Sequence, residues 1–335
     1  MALPVQSILG HNLRSPKTLS SGMSVASLTK VSVKSDWRGG GMTTPCSSGK
    51  TALVVASGGD VDELLTSVLA SEGWTIEHAI DNHHALARAT TESFDLIVTG
   101  RKTLGREDVE LLQKIRSSRP HVRLIILTDD WTRGDVISAM REGAFGYFSA
   151  PFQAFELAEV VREAMASPCW DDGIEVLSAT PDWVRLAARC DAATANRLVH
   201  FLHGFKDPSI PEADRENVVV AFREILMNAM EHGGNFDSSQ YVEISFIRTR
   251  RAVVCRVKDP GQGFSLEELH HAAIINPPGD PLSHVAVREA QGLRPGGFGL
   301  LLAKGLVDEL IYTEKGNEAL LIKYISPAAS QSRAV

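Results

Sequence analysis

Glu224, Asn228 and His232 recur every four residues. On an α-helix that spacing stacks three polar side chains along one line, so they point at one place. Taken alone, such a row also fits a solvated helix face. A second cluster, Asp259-Pro260-Gly261-Gln262-Gly263-Phe264, sets a carboxylate before two glycines spaced by one residue. Glycines let the backbone turn tightly and approach a planar ligand, while the carboxylate can accept a hydrogen bond from an exocyclic amine such as that of adenine. A tight turn with an aspartate is the plainer alternative. The third cluster, Gly296-Gly297-Phe298-Gly299-Leu300-Leu301-Leu302-Ala303, opens an apolar helix with glycines. Bare backbone N–H groups and the positive end of a helix dipole then face whatever anion lies there, phosphate being the natural guest. Any one of these glycines could instead serve close packing.

The elements that must position these groups are legible around them. Ser209-Ile210-Pro211-Glu212 has capping-box spacing with proline in the first turn, and the helix it announces ends at Gly233-Gly234. Val218, Phe222, Ile225 and Ala229 recur at helical steps and should face the core. Tyr241 to Ile247 and Ala252 to Lys258 read as an antiparallel hairpin whose second strand runs into Asp259. The Pro- and Gly-rich stretch from Ile274 to Pro295 is too long for a simple turn and fits a lid over a ligand. Upstream, Ile174-Glu175-Val176-Leu177 reads as a strand, and a helix is expected from about Asp191 to Gly204, where His200 and His203 serve packing or the surface rather than a metal.

The preceding region alternates differently. Ala52 to Val55, Asp95 to Val98, Leu124 to Leu127 and Gly146 to Phe148 are short continuous apolar runs. Between them lie the amphipathic stretches Val61 to Glu72, Val109 to Ser117 and Arg133 to Glu142. Strands covered on both faces by crossover helices read this way, so the expectation is a doubly wound parallel sheet with its ligand end at the strand carboxyl termini.

With 335 residues, two domains are expected. The boundaries read as a disordered tail over 1–49, a βα domain over 50–168, a linker over 169–173, a second domain over 174–326 and a short tail over 327–335. The first fifty residues are rich in Ser, Thr and Gly and hold one acid, Asp36. They lack the apolar core of a secretory signal, and disorder is preferred to a transit peptide. A net charge of −7 and a pI near 5.9 argue against direct nucleic-acid or membrane binding. Cys46, Cys169, Cys190 and Cys255 are scattered without zinc-ligand spacing, as for free thiols in a cytoplasmic protein.

The order Glu-x-x-x-Asn on a helix, Asp-x-Gly-x-Gly after a strand and Gly-x-Gly opening a helix resembles the N, G1 and G2 boxes of the GHKL ATPase superfamily over roughly 174–326. Asn228-Ala229-Met230-Glu231-His232-Gly233 and the ending Gly-Gly-Phe-Gly-Leu-Leu-Leu look most like the anti-sigma-factor serine kinases. The resemblance implies a two-layer α/β sandwich that binds ATP and Mg2+. Asn228 would hold the metal, Asp259 would read adenine, and His232, Gly233, Gly261, Gly263, Gly296, Gly297 and Gly299 would complete the nucleotide site. Glu224 would be the general base that activates a serine or threonine hydroxyl on a partner, a small antagonist protein, with a sigma factor as a second partner and a homodimer possible. Arg294 is either the lid arginine that steadies the phosphates or a surface arginine. A non-catalytic ATP-dependent binding module is the alternative. A histidine kinase-like signalling protein is disfavoured because no phosphoacceptor helix pair precedes the ATPase.

Residues 50–168 resemble the flavodoxin-like receiver domain of response regulators, without its chemistry. Ala56 and Ser57 stand where the receiver has its acidic metal pair, Gly100 stands at the phosphoacceptor aspartate and Ala150 at the lysine. Thr128 and Tyr147 match its switch hydroxyl and aromatic. A domain lacking the nucleophile cannot be phosphorylated in the receiver manner. Regulation, docking or dimerisation by contact is the expected role.

Overall fold

The computed structural model describes residues 50–56, 58–130, 132–150, 154–166, 173–204, 210–265, 269–293 and 295–325. The expectations placed on the two tails, most of the linker, Cys46, Ser57, Cys169, Ser209 and Arg294 lie outside those residues.

The first sheet holds β1 (Thr51–Val55), β2 (Thr75–Ala79), β3 (Leu96–Thr99), β4 (Arg123–Thr128) and β5 (Gly146–Ser149) in the order β2-β1-β3-β4-β5. Every pairing in it is parallel. Alternate residues of the central strands go to opposite faces. Leu53, Ile97, Leu124 and Ile126 pack with α2 (Asn82–Thr91), α3 (Gly105–Ser118) and α4 (Arg133–Arg141). Val54, Leu96, Val98 and Ile125 pack with α1 (Asp60–Ser71) and α5 (Ala154–Ala166). Burial on both faces is what makes β3 a continuous apolar run, all four of its residues being buried. Local signals agree: Thr132 and Asp135 form a reciprocal capping box at the start of α4. The edge strand β2 departs from the run-like pattern, since Thr75 and His78 are exposed.

The second sheet is antiparallel, with β6 (Ile174–Thr180), β7 (Trp183–Arg189), β8 (Tyr241–Arg248), β9 (Ala252–Lys258), β10 (Glu309–Tyr312) and β11 (Glu318–Tyr324) ordered β10-β11-β9-β8-β7-β6. Its strands alternate. Val184, Leu186, Val242, Ile244, Cys255 and Leu321 meet α6 (Ala192–Gly204), α7 (Glu212–Asn228) and α9 (Gly299–Leu306). The opposite face carries ion pairs such as Arg185–Glu243 at 3.0 Å and Arg256–Glu318 at 2.6 Å. This is the two-layer sandwich that follows the flavodoxin-like sheet. A further helix, α8 (Ser283–Ala290), lies within the expected lid.

The helix expected to run to Gly233-Gly234 ends as an α-helix at Asn228 and continues as one π-helical turn, Ala229–Gly233. Pro211 is its N-cap residue rather than a first-turn residue, with no side-chain cap. Proline's fixed φ and missing N–H suit that helix entry.

The two sheets belong to one compact unit, and α6 packs against β5. Arg197 on α6 is buried at this seam, donating through Nε to the Phe145 carbonyl and through Nη2 to the Ala144 carbonyl, each at 3.2 Å. Its guanidinium also lies 4.9 Å from the Phe145 ring centroid. Nearby, the Asn196 amide donates to Glu163 at 3.0 Å, and Arg133 pairs with Asp182 at 3.2 Å.

Candidate functional site

Asn228 and Glu224 lie four residues apart on α7, about 6 Å along its axis, and both line a cleft of about 1310 Å3. His232, Gly233, Asp259, Gly261, Gly263, Gly296, Gly297 and Gly299 line the same cleft. Every candidate residue within the described part of the chain is thus brought to one place.

At one end, the carboxylate of Asp259 is fixed by its own turn: Oδ1 accepts from the Gly261 N–H at 2.8 Å. Burial raises the carboxyl pKa, opposed by hydrogen bonds from the backbone and by the charge of Lys315. A side chain at Gly233 would collide with this carboxylate, so glycine there is what lets the end of the α7 segment approach it. Behind it, Gly234 gives way to the Cys190 sulfur, whose thiol is pushed up to about 11 by burial and the acids around it.

The loop between β10 and β11 also belongs to this end, and the sequence reading missed it. Asn317 donates through its amide to the Asp259 carbonyl at 3.3 Å, and the Lys315 ammonium donates to the Gly261 carbonyl at 3.3 Å. Gly263 and Gly316 both have positive φ, 85° and 78°, and each opposes backbone of the other loop. Two glycines at one crossing therefore admit two chains where side chains would not fit. Tyr312 lines the cleft as well, its hydroxyl pKa raised by burial and by Asp259. The available signal was the Gly-Asn pair before a final alternating strand.

At the other end, Gly299 opens α9 directly against Glu224: a Cβ on Gly299 would sit 2.6 Å from Glu224 Oε2 and 3.8 Å from Asn228 Nδ2. Glu224 is partly exposed and lies 3.7 Å from the Arg223 guanidinium, a contact weakened by solvent. Gly297 has φ 93°, and its carbonyl accepts from the Ala273 N–H at 2.8 Å. The start of α9, the positive end of its dipole, thus lies directly beside the carboxylate and amide of α7.

The segment expected as a lid is organised around Asn276. Its Oδ1 accepts from Ser283 Oγ at 2.8 Å and from the His284 N–H at 3.1 Å. His284 packs edge-on against Phe298, with ring centroids 4.5 Å apart. Arg288 on α8 lines the cleft and donates through Nη1 to the His271 carbonyl at 3.1 Å, placing an arginine of that segment beside Gly296 and Gly297. Its signal was its place on a short amphipathic segment inside the lid.

The receiver-like sheet presents a different strand end. A Cβ at Gly100 would lie 2.5 Å from the Ala56 carbonyl oxygen and 2.6 Å from that of Val55. Ala56 itself has φ 49°. Arg101 pairs with Asp129 at 2.6 Å beside it. Thr128 Oγ1 donates to the Asp130 carbonyl at 2.7 Å and accepts from the Asp130 N–H at 3.1 Å. Tyr147 is buried, its hydroxyl in the space that Gly105 leaves. Below the sheet end, Asp108 is fully buried and accepts from Asn82 at 2.7 Å and Thr103 at 2.9 Å. Burial pushes its carboxyl up to about 7.

Fold and cleft together define a protein in which a receiver domain precedes a nucleotide-binding sandwich. The family model described as a histidine kinase-like ATPase domain matches residues 186–323, and that of the response regulator receiver domain matches residues 53–162. Serine-protein kinase RsbW of Oceanobacillus iheyensis is 30% identical over 157 residues, which cover 46% of this chain and 88% of that protein. Sporulation initiation phosphotransferase F of Bacillus subtilis is 30% identical over 101 residues, 30% of this chain and 81% of that protein. Of the transcriptional regulators that it matches, TcrA of Mycobacterium tuberculosis is covered over about half its length, 49%, and NtrC of Salmonella typhimurium over 24%. A crystal structure of a CheY-like receiver domain protein from Methanospirillum hungatei shares 28% identity, covering 35% of this chain and 93% of that one, with a TM-score of 0.30. The chain belongs to the family of serine-protein kinase RsbW, with a histidine kinase-like ATPase domain joined to a response-regulator receiver domain.

Proposed function

We propose that this protein is an ATP-dependent serine/threonine kinase that phosphorylates a small antagonist protein and holds a sigma factor as its second partner. The observation that carries the reading is Glu224 beside the first turn of α9, one helical turn from Asn228 and in the same cleft as Asp259. Asp259 binds the adenine amine, and the glycines at 261, 263, 296, 297 and 299 leave the backbone bare along the rest of the nucleotide. Glu224 takes the proton from the partner's hydroxyl as its oxygen attacks the γ-phosphorus, and ADP leaves with the bridging oxygen.

The donor set suits Mg2+ carried by ATP: one amide oxygen from Asn228, with phosphate oxygens and water completing the shell, is the sparse protein ligation that this ion accepts. The ion would offset charge on the transferring phosphoryl group. Among the described residues no group of three or more His, Cys, Asp or Glu side chains is placed to bind a metal.

Among the described residues no helix is long and apolar enough to cross a membrane, and we place the activity in the cytoplasm. A homodimer remains part of the proposal, tested by mass in solution. The enzymatic test incubates the full chain with γ-labelled ATP, Mg2+ and candidate antagonist proteins. Transfer to serine or threonine that fails with Glu224→Ala is the expected result. Nucleotide binding without transfer to any partner would return the non-catalytic module.

A further inference from the structure

Tyr312 on β10 stands opposite Ala319 of β11, and Ala319 stands opposite Val257 of β9, so the three form one row across the sheet. All three line the nucleotide cleft. The next row holds Asn317 and Asp259, where the Asp259 N–H donates to the Asn317 carbonyl at 3.0 Å. Side chains two residues apart on a strand share a face, so Tyr312 and Asp259 look into the cleft from the same side of the sheet. Ala319, small and between them, leaves room for the phenol ring to lean across β11.

The ring is held from the loop that carries Asp259. Phe264 packs edge-on against it, with centroids 5.1 Å apart and an interplanar angle of 61°. Phe264 is itself fixed at the crossing where Gly316 admits its backbone. The hydroxyl is left over: among the described residues it makes no hydrogen bond. Burial, followed by the charge of Asp259, raises its pKa, so it is a neutral O–H. A half-buried donor fixed in place without an acceptor costs free energy that a ligand atom can recover.

We propose that Tyr312 reads the base: its hydroxyl donates to N1 of adenine while Asp259 accepts from the neighbouring N6 amine. The inference rests on the nucleotide reading above and adds to it the choice of base. A carboxylate acceptor beside a hydroxyl donor matches the edge of adenine, which offers an amine next to a bare ring nitrogen. Guanine offers a carbonyl and an N–H at the same positions and sets its oxygen against the carboxylate.

The test is calorimetric titration of the full chain and of Tyr312→Phe with ADP, 1-deaza-ADP and 7-deaza-ADP. The first analogue lacks the N1 acceptor and the second keeps it. Wild-type protein should bind 1-deaza-ADP about threefold to tenfold more weakly than ADP, the range for one neutral hydrogen bond. Tyr312→Phe keeps the ring against Phe264 and should weaken ADP and 7-deaza-ADP by that same factor, leaving 1-deaza-ADP within about twofold. A tyrosine that only props the cleft open would lower all three ligands together. Equal loss for the three ligands, no loss for ADP, or wild-type protein binding 1-deaza-ADP as tightly as ADP would overturn the proposal while leaving the nucleotide reading intact. Wild-type protein that bound no ADP would remove the nucleotide reading and this proposal with it.

Discussion

Each domain places a glycine at a tight junction, Gly100 after a strand and Gly299 at the start of a helix, and the two do opposite things. In the receiver domain, Gly100 stands where its backbone is pressed between the carbonyls of Val55 and Ala56, so no side chain fits and the strand end is closed. In the ATPase domain, Gly299 stands where the missing side chain leaves the start of α9 open to Glu224 and Asn228. Under the proposed function, the first lies at a strand end without phosphate chemistry and the second beside the bound nucleotide. A glycine at a strand or helix end is thus uninformative until its neighbours are known: backbone oxygens close the space, whereas a carboxylate and an amide furnish it.

Four substitutions would break or sharpen this contrast. Glu224→Ala should reduce phosphoryl transfer by about 10²–10⁴-fold, the usual range for a general base, while ATP affinity stays within a few-fold. Single-turnover kinetics beside equilibrium binding separate the two effects. Asp259→Ala should weaken ADP binding by about 1.5–3 kcal/mol, the range for a hydrogen bond to a charged group, measurable by calorimetry.

On the closed side, Gly100→Asp should not restore phosphate uptake from acetyl phosphate. It should destabilise the fold by about 1–3 kcal/mol in urea melts, because the Val55–Ala56 backbone must move. Label on the introduced carboxylate would refute the closure. The smallest effect per unit of change is in pH. Asp108 titrates at about 7 when folded against 3.8 for its ordinary value, so the folded state holds the extra proton between these limits. Its contribution to stability is therefore greatest at low pH. It is lost as pH rises from about 4 to about 7, by at most about 1.4 kcal/mol per pH unit, and is flat above that window. Asp108→Asn should remove that slope from the pH dependence of unfolding.

Much of this arrangement was legible in the sequence because it depends on short-range spacing. Glu224 and Asn228 share a line by helical period alone, and β3 and β4 announce themselves as doubly buried runs. The edge strand β2 was not legible, since Thr75 and His78 face solvent and blur its pattern. Nor was the part of the site made by Lys315, Gly316 and Asn317, whose place beside Asp259 follows from β11 pairing with β9 across 60 residues of chain, Glu318 opposite Lys258. The seam was hidden for the same reason: Arg197 reads as an ordinary helical arginine until Ala144 and Phe145 arrive from another domain.

Hydrogen–deuterium exchange with and without ATP and Mg2+ compares the two regions in one experiment and tests the central contrast most directly. Protection should appear over residues 224–233, 259–263 and 296–299 and leave residues 54–56, 99–101 and 128–130 unchanged. Nucleotide-dependent protection confined to the receiver strand ends, with none around Asp259 and Gly299, would contradict the account.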